Sequence, residues 1–176
     1  MACRVQSSST WLSSSGGSRR RSGSSDRPRR QDGGVGRTLP APALDSHVDE
    51  LCTRHAIVRL DGSRGRAEVR RRNGRRTKAI RVPPVRGQVT YFVALHEIGH
   101  LIGPGRSGTR LEKEAAAWRF ALQAALVEPT VACRRRIGRR LRSYVTWAEA
   151  RQHRRRPPVL PPPGSPFWAL LSDLEA

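Results

Sequence analysis

Leu95-His96-Glu97-Ile98-Gly99-His100-Leu101-Ile102-Gly103 is the stretch on which the reading of this chain turns. Two histidines four residues apart lie on one face of an α-helix, where both imidazoles can grip a single metal ion. A glutamate directly after the first histidine can reach a water activated there. The pattern implies metal-assisted hydrolysis of a peptide bond, with Glu97 as acid/base. Its surroundings fit a helix. Thr90-Tyr91-Phe92-Val93-Ala94 leads in as a mostly apolar segment, and Phe92, Leu95 and Gly99 recur at helical spacing on a face suited to packing. Gly103-Pro104-Gly105 follows as a stop, with Gly103 suited to a left-handed cap.

Upstream, Leu44 to His55 reads as a short helix that Asp45 or Ser46 can cap, after a proline-containing linker. Ala56-Ile57-Val58-Arg59-Leu60, Ala67-Glu68-Val69 and Ala79-Ile80-Arg81-Val82 then alternate apolar and polar residues, separated by Asp61-Gly62 and Asn73-Gly74. Such turns predict a small antiparallel sheet with one buried face, ended by Pro83-Pro84. Downstream, Thr109-Arg110-Leu111-Glu112 fits a capping box that opens a second long helix running towards Val127. A third helical pattern covers about Val131 to Gln152, with Ile137, Leu141, Tyr144, Val145 and Ala148 on one stripe opposite many arginines. Pro157 to Pro163 is an extended spacer, and Phe167-Trp168-Ala169-Leu170-Leu171 an apolar tail able to dock back.

A catalytic zinc site takes three protein ligands and leaves one position open, so a third donor is required. An eleven-residue extension of the motif would place a histidine where Arg106 stands, and permanently charged arginine cannot ligate zinc. The methionine turn of that class is also missing, since Met1 is the only methionine. Glu112 is accounted for by the capping box. Glu114 instead shares a stripe with Leu111, Trp118, Ala121 and Ala125, the face that should turn inward, where a carboxylate is costly unless paired or bound to metal. The expected metal ligands are therefore His96, His100 and Glu114, the ion is Zn²⁺, and Glu97 is the catalytic residue. The sequence offers Tyr91, Arg106, Tyr144 and His153 as donors for a transition state without choosing among them. His47 and His55 lack ligand spacing and are read as structural or exposed.

The motif, followed by Arg110-Leu111-Glu112-Lys113-Glu114-Ala115-Ala116-Ala117-Trp118-Arg119-Phe120-Ala121, resembles the gluzincin-type metallopeptidases of the ImmA/IrrE kind and related phage proteins. The resemblance runs from about Ile80 to Ala125. It implies an α+β fold with the small antiparallel sheet on a zincin-like helical pair, and the same ligand set. The chain departs from the family in the segment after Glu114, which reads Ala-Ala-Trp-Arg-Phe-Ala without the usual Leu-Leu-Met-Pro-like tail. No helix-turn-helix repressor domain accompanies it.

The 176 residues divide into an N-terminal segment 1–40, a metallopeptidase-like domain 41–153 and a tail 154–176. The first segment is Ser, Arg and Gly with little apolar content, and is expected to be disordered because it buries too little to offset its ordering entropy. It has the Ser and Arg bias of an organellar transit peptide but neither amphipathic periodicity nor the apolar core of a secretory signal. No apolar run spans a membrane. The expectation is a soluble, cytoplasmic protein acting on a protein or peptide substrate.

A formal net charge of +20 and a pI of about 11.8 raise a rival reading: a basic nucleic-acid-associated protein, or a zinc-binding protein without turnover. The arginine clusters at 19–21, 70–72, 134–136 and 154–156 imply nonspecific affinity for nucleic acid, but no recognised binding motif accompanies them. Cys3, Cys52 and Cys133 are odd in number and widely spaced, which argues against a disulfide framework or a cysteine zinc site.

Overall fold

The computed structural model describes residues 39–105 and 108–176. The expected disorder before Leu39, Cys3 and the donor Arg106 lie outside the described residues. Five helices and one three-stranded sheet follow in the order α1 (Ala41–Arg54), β1 (Ile57–Asp61), β2 (Arg66–Arg72), β3 (Arg75–Val82), α2 (Gln88–Ile102), α3 (Arg110–Ala124), α4 (Val131–Glu149) and α5 (Pro166–Glu175). The fold is α+β, as expected.

The sheet is mixed, which corrects the antiparallel expectation. Its order is β1-β3-β2: β2 and β3 form an antiparallel hairpin, while β1 runs parallel to β3, with Ile57 opposite Lys78 and Asp61 opposite Val82. Asn73-Gly74 makes the expected hairpin turn, both residues having positive φ (51° and 75°) as a two-residue turn of this hand requires. Asp61-Gly62 does not join neighbours. Burial explains the order: β3 carries Ala79, Ile80 and Val82, all buried, and takes the centre. The arginine-rich β2 takes an edge, where charge is tolerated and guards against pairing with another chain.

Two helix ends also differ from expectation. α1 starts at Ala41 with Pro40 as an N-cap lacking any side-chain cap, so neither Asp45 nor Ser46 caps it. Pro42 fits in the first turn, where its missing N–H has no intrahelical partner to lose. Gly103 is extended (φ −65°, ψ 164°) rather than left-handed. It precedes Pro104, whose ring disfavours helical geometry in the residue before it. The Gly103 N–H still closes the helix on the Gly99 carbonyl at 2.8 Å.

α2 is the centre of the molecule: every residue from Tyr91 to Gly99 is buried. It lies on the sheet and against α1 on one side and packs along α3 on the other. Gly99 permits that approach, since a Cβ there would fall 2.9 Å from the Ala117 carbonyl oxygen. The capping box forms as read: Thr109 Oγ1 accepts from the Glu112 N–H, and Glu112 accepts from the Thr109 N–H at 2.7 Å. α4, capped by Thr130, buries the stripe Ile137, Leu141, Tyr144, Val145 and Ala148. The apolar tail is the full helix α5, which buries Phe167, Leu170, Leu171 and Leu174 against α3 and α4. Among the described residues no helix is long and apolar enough to cross a membrane.

Candidate metal centre

The close contact of α2 with α3 sets His96 and His100, one turn apart, against Glu114 in the second turn of α3. The two imidazole Nε2 atoms are 3.1 Å apart. Glu114 Oε2 lies 3.3 Å from His96 Nε2 and 3.5 Å from His100 Nε2. Despite that closeness, Glu114 Oε2 has no hydrogen-bond partner of acceptable geometry. Three donor atoms thus point at a common space instead of bonding one another. A tetrahedral ion with ligand bonds near 2.0–2.1 Å separates its ligands by about 3.3 Å, and the observed spacings bracket that value. The residues fit a metal. Sequence reading and structure bring together the same three.

The environment is dry. His96, Glu97 and Glu114 are 3, 3 and 2% exposed, and His100 is the ligand nearest solvent. Burial pulls the His96 pKa down to about 4, opposed by its contact with Glu114. That favours the neutral imidazole a metal needs. For Glu114, burial acts to raise the pKa, but the two histidines outweigh it and hold the carboxyl well below its usual range. Burial acts to lower the His100 pKa, and the Glu114 and Glu97 charges outweigh it, so the net direction is up.

Glu97 faces the sheet side of α2. Burial pushes its pKa up to about 7, opposed in part by the charge of His100 and by a hydrogen bond from the Ala67 backbone. Its carboxylate sits so close to Gly65 that a Cβ there would lie 2.5 Å from Oε1 and 2.9 Å from Val93 Cγ1. Gly65 at the mouth of β2 is therefore a spacing requirement of Glu97.

Three participants escaped the sequence reading. Trp118 stacks on His96, with centroids 4.1 Å apart and planes at 27°. Its place one turn after Glu114 on the inward stripe was the available signal. Gly65 and Arg140 carried no local signal, because the sheet and α4 reach the site only through tertiary packing. Of the suggested donors, the Tyr91 hydroxyl is occupied elsewhere, accepting from the Leu126 N–H at 3.0 Å and lying 2.8 Å from His47 Nδ1. His47 is thus structural. Tyr144 is buried on α4 beneath the Arg140 guanidinium, 4.9 Å from its ring, and His153 is exposed. Cys52 and Cys133 are buried free thiols, each raised to about 11, first by burial.

No protein-family model matches the sequence, and comparison with curated proteins and with solved structures returns no match.

Proposed function

We propose that the protein is a zinc-dependent metallopeptidase of the gluzincin type. The observation that carries the reading is the buried, unbonded Glu114 Oε2 aimed between two imidazole nitrogens, with Glu97 one residue from the first. Two imidazoles and a carboxylate form the donor set of a catalytic zinc site with one position left open. When bound, the ion supplies Lewis acidity, polarising the scissile carbonyl and acidifying water.

The chain's own residues supply the rest. His96, His100 and Glu114 hold the ion. Glu97, with its pKa raised to about 7, is poised to take a proton from water as the water oxygen attacks the carbonyl carbon. It passes that proton to the amine as the carbon–nitrogen bond breaks. Trp118, stacked on His96, fixes the plane of that ring. β2 begins beside Glu97 and has a partner strand on one side only, so an extended peptide can add along its other edge.

The test is hydrolysis of a mixed peptide pool by the zinc-loaded full chain, followed by mass spectrometry. The account expects cleavage that a chelator stops and that Glu97→Gln lowers by at least about a hundredfold while zinc content is retained. Undiminished cleavage by Glu97→Gln would contradict it. Zinc uptake with no cleavage of any peptide would leave a metal-binding protein without turnover.

A further inference from the structure

We infer that the groove over this site selects an acidic, extended peptide segment, and that Arg136 and Arg140 of α4 are the specificity-determining residues. The inference rests on the peptidase reading and names the substrate class of the same site.

α2 provides the floor. Val89, Val93 and Glu97 follow one another at single-turn spacing along it, and Val93 and Glu97 both crowd Gly65 at the start of β2. On the other side the floor continues into a small recess of about 10 Å³ lined by Val89, Val93, Trp118 and Ile137, with Arg136 and Arg140 completing its lining. Two residues tie the recess to the chemistry: Trp118 stacks on His96, and Val93 is one turn from Glu97. The positive charge of Arg140 reaches both His96 and Glu97. Arg136 and Arg140 are themselves one turn apart, at the margin of the α4 stripe that buries Cys133 and Ile137. They present two cations along the line an extended chain would follow.

The opposite wall is basic too. β2 carries Arg66, Arg70 and Arg71 against the single acid Glu68, which contacts Arg66 and Arg70. The arrangement is an apolar floor, the depth of a strand, between two cationic walls. A basic segment would be repelled from both walls, whereas Asp or Glu side chains flanking a scissile bond meet a cation on either side. Nucleic acid would satisfy the charge but not the narrow apolar floor at the catalytic glutamate.

The test uses the full chain carrying Glu97→Gln, loaded with zinc, so that binding is read without turnover. A fluorescein-labelled peptide rich in Asp and Glu is compared by anisotropy with its Asn/Gln counterpart of equal length. The acidic peptide should bind at least about tenfold more tightly, and Arg136→Gln with Arg140→Gln should remove most of that difference. The control removes the same charge from the exposed Arg135 and Arg139 on the same helix, and should leave the difference within about twofold. Equal losses in both double variants would overturn the inference, because the net charge alone would then account for binding. So would oligo(dT) binding more tightly than the acidic peptide with the same dependence on Arg136 and Arg140. The failures separate: loss of acidic preference with peptide cleavage intact in the wild type sinks this inference alone, and absent cleavage with acidic preference intact sinks the peptidase reading.

Discussion

The metal centre and the β2–β3 hairpin place charge in opposite ways. Around α2 and α3 three ionisable groups besides His100 are almost fully buried. In such surroundings an uncompensated charge costs several kcal/mol, so each group needs a partner or an ion. The hairpin instead puts cations directly opposite cations, Arg71 facing Arg76 and Arg66 facing Arg81, out in solvent. There like charges cost only about 0.2–1 kcal/mol per pair. Buried charge in this protein is specific and few in number; surface charge is abundant and individually weak. The net charge of +20 therefore says less about the chemistry than three buried side chains do.

The largest expected effect that sharpens this contrast is metal removal. Zinc at a thousand times its dissociation constant should stabilise the wild type by about 4 kcal/mol, seen as a thermal midpoint that rises with zinc and falls with chelator. Glu114→Gln should show no such rise. A zinc-dependent rise of equal size in that variant would place the ion elsewhere.

Next in size is the pH dependence of the metal-free protein. The Glu97 carboxyl is raised from 4.5 to about 7 by folding, so the native state holds its proton more tightly than the unfolded chain. Stability from this group is fully present below about 4.5 and is lost as pH rises through about 7, a fall of about 3 kcal/mol. Glu97→Gln should be nearly neutral in acid and should be the more stable chain at about pH 8, as urea titrations at several pH values would show. Parallel pH curves for both chains would refute the burial argument.

Gly65→Ala should cost about 1–3 kcal/mol, because its methyl group has to displace Glu97 or Val93. If Glu97 is what moves, Gly65→Ala with Glu97→Ala will recover part of the loss, and strict additivity of the two would rule that out. The smallest effect belongs to the hairpin. Arg76→Glu puts an acid opposite Arg71 and should stabilise the fold by about 0.2–1 kcal/mol, with the gain shrinking in high salt. A gain of several kcal/mol would mean that the hairpin is not the cheap surface described above.

The site was more legible in the sequence than the sheet was. His96, His100 and Glu97 are fixed by helical spacing, and Glu114 stood out because a carboxylate interrupted an otherwise apolar stripe. The helices α2, α3 and α4 and the Asn73-Gly74 hairpin follow from local signals of the same kind. Strand order does not. Asp61-Gly62 has the chemistry of a tight turn, yet β1 pairs with β3, a choice made by which strand has apolar residues to bury at the centre. Gly103 shows the same limit at one residue, where the following proline overrode the glycine. Gly65, Trp118 and Arg140 acquire their meaning only when separate elements converge.

The most direct test of the central claim is the zinc content of the purified full-length chain, compared with His100→Ala and Glu114→Gln after equilibration with metal and desalting. The account predicts close to one zinc per wild-type chain and a large loss in both variants, with circular dichroism showing the helices intact. Wild-type protein that takes up no zinc, or variants that keep it in full, would contradict a metal centre built from His96, His100 and Glu114.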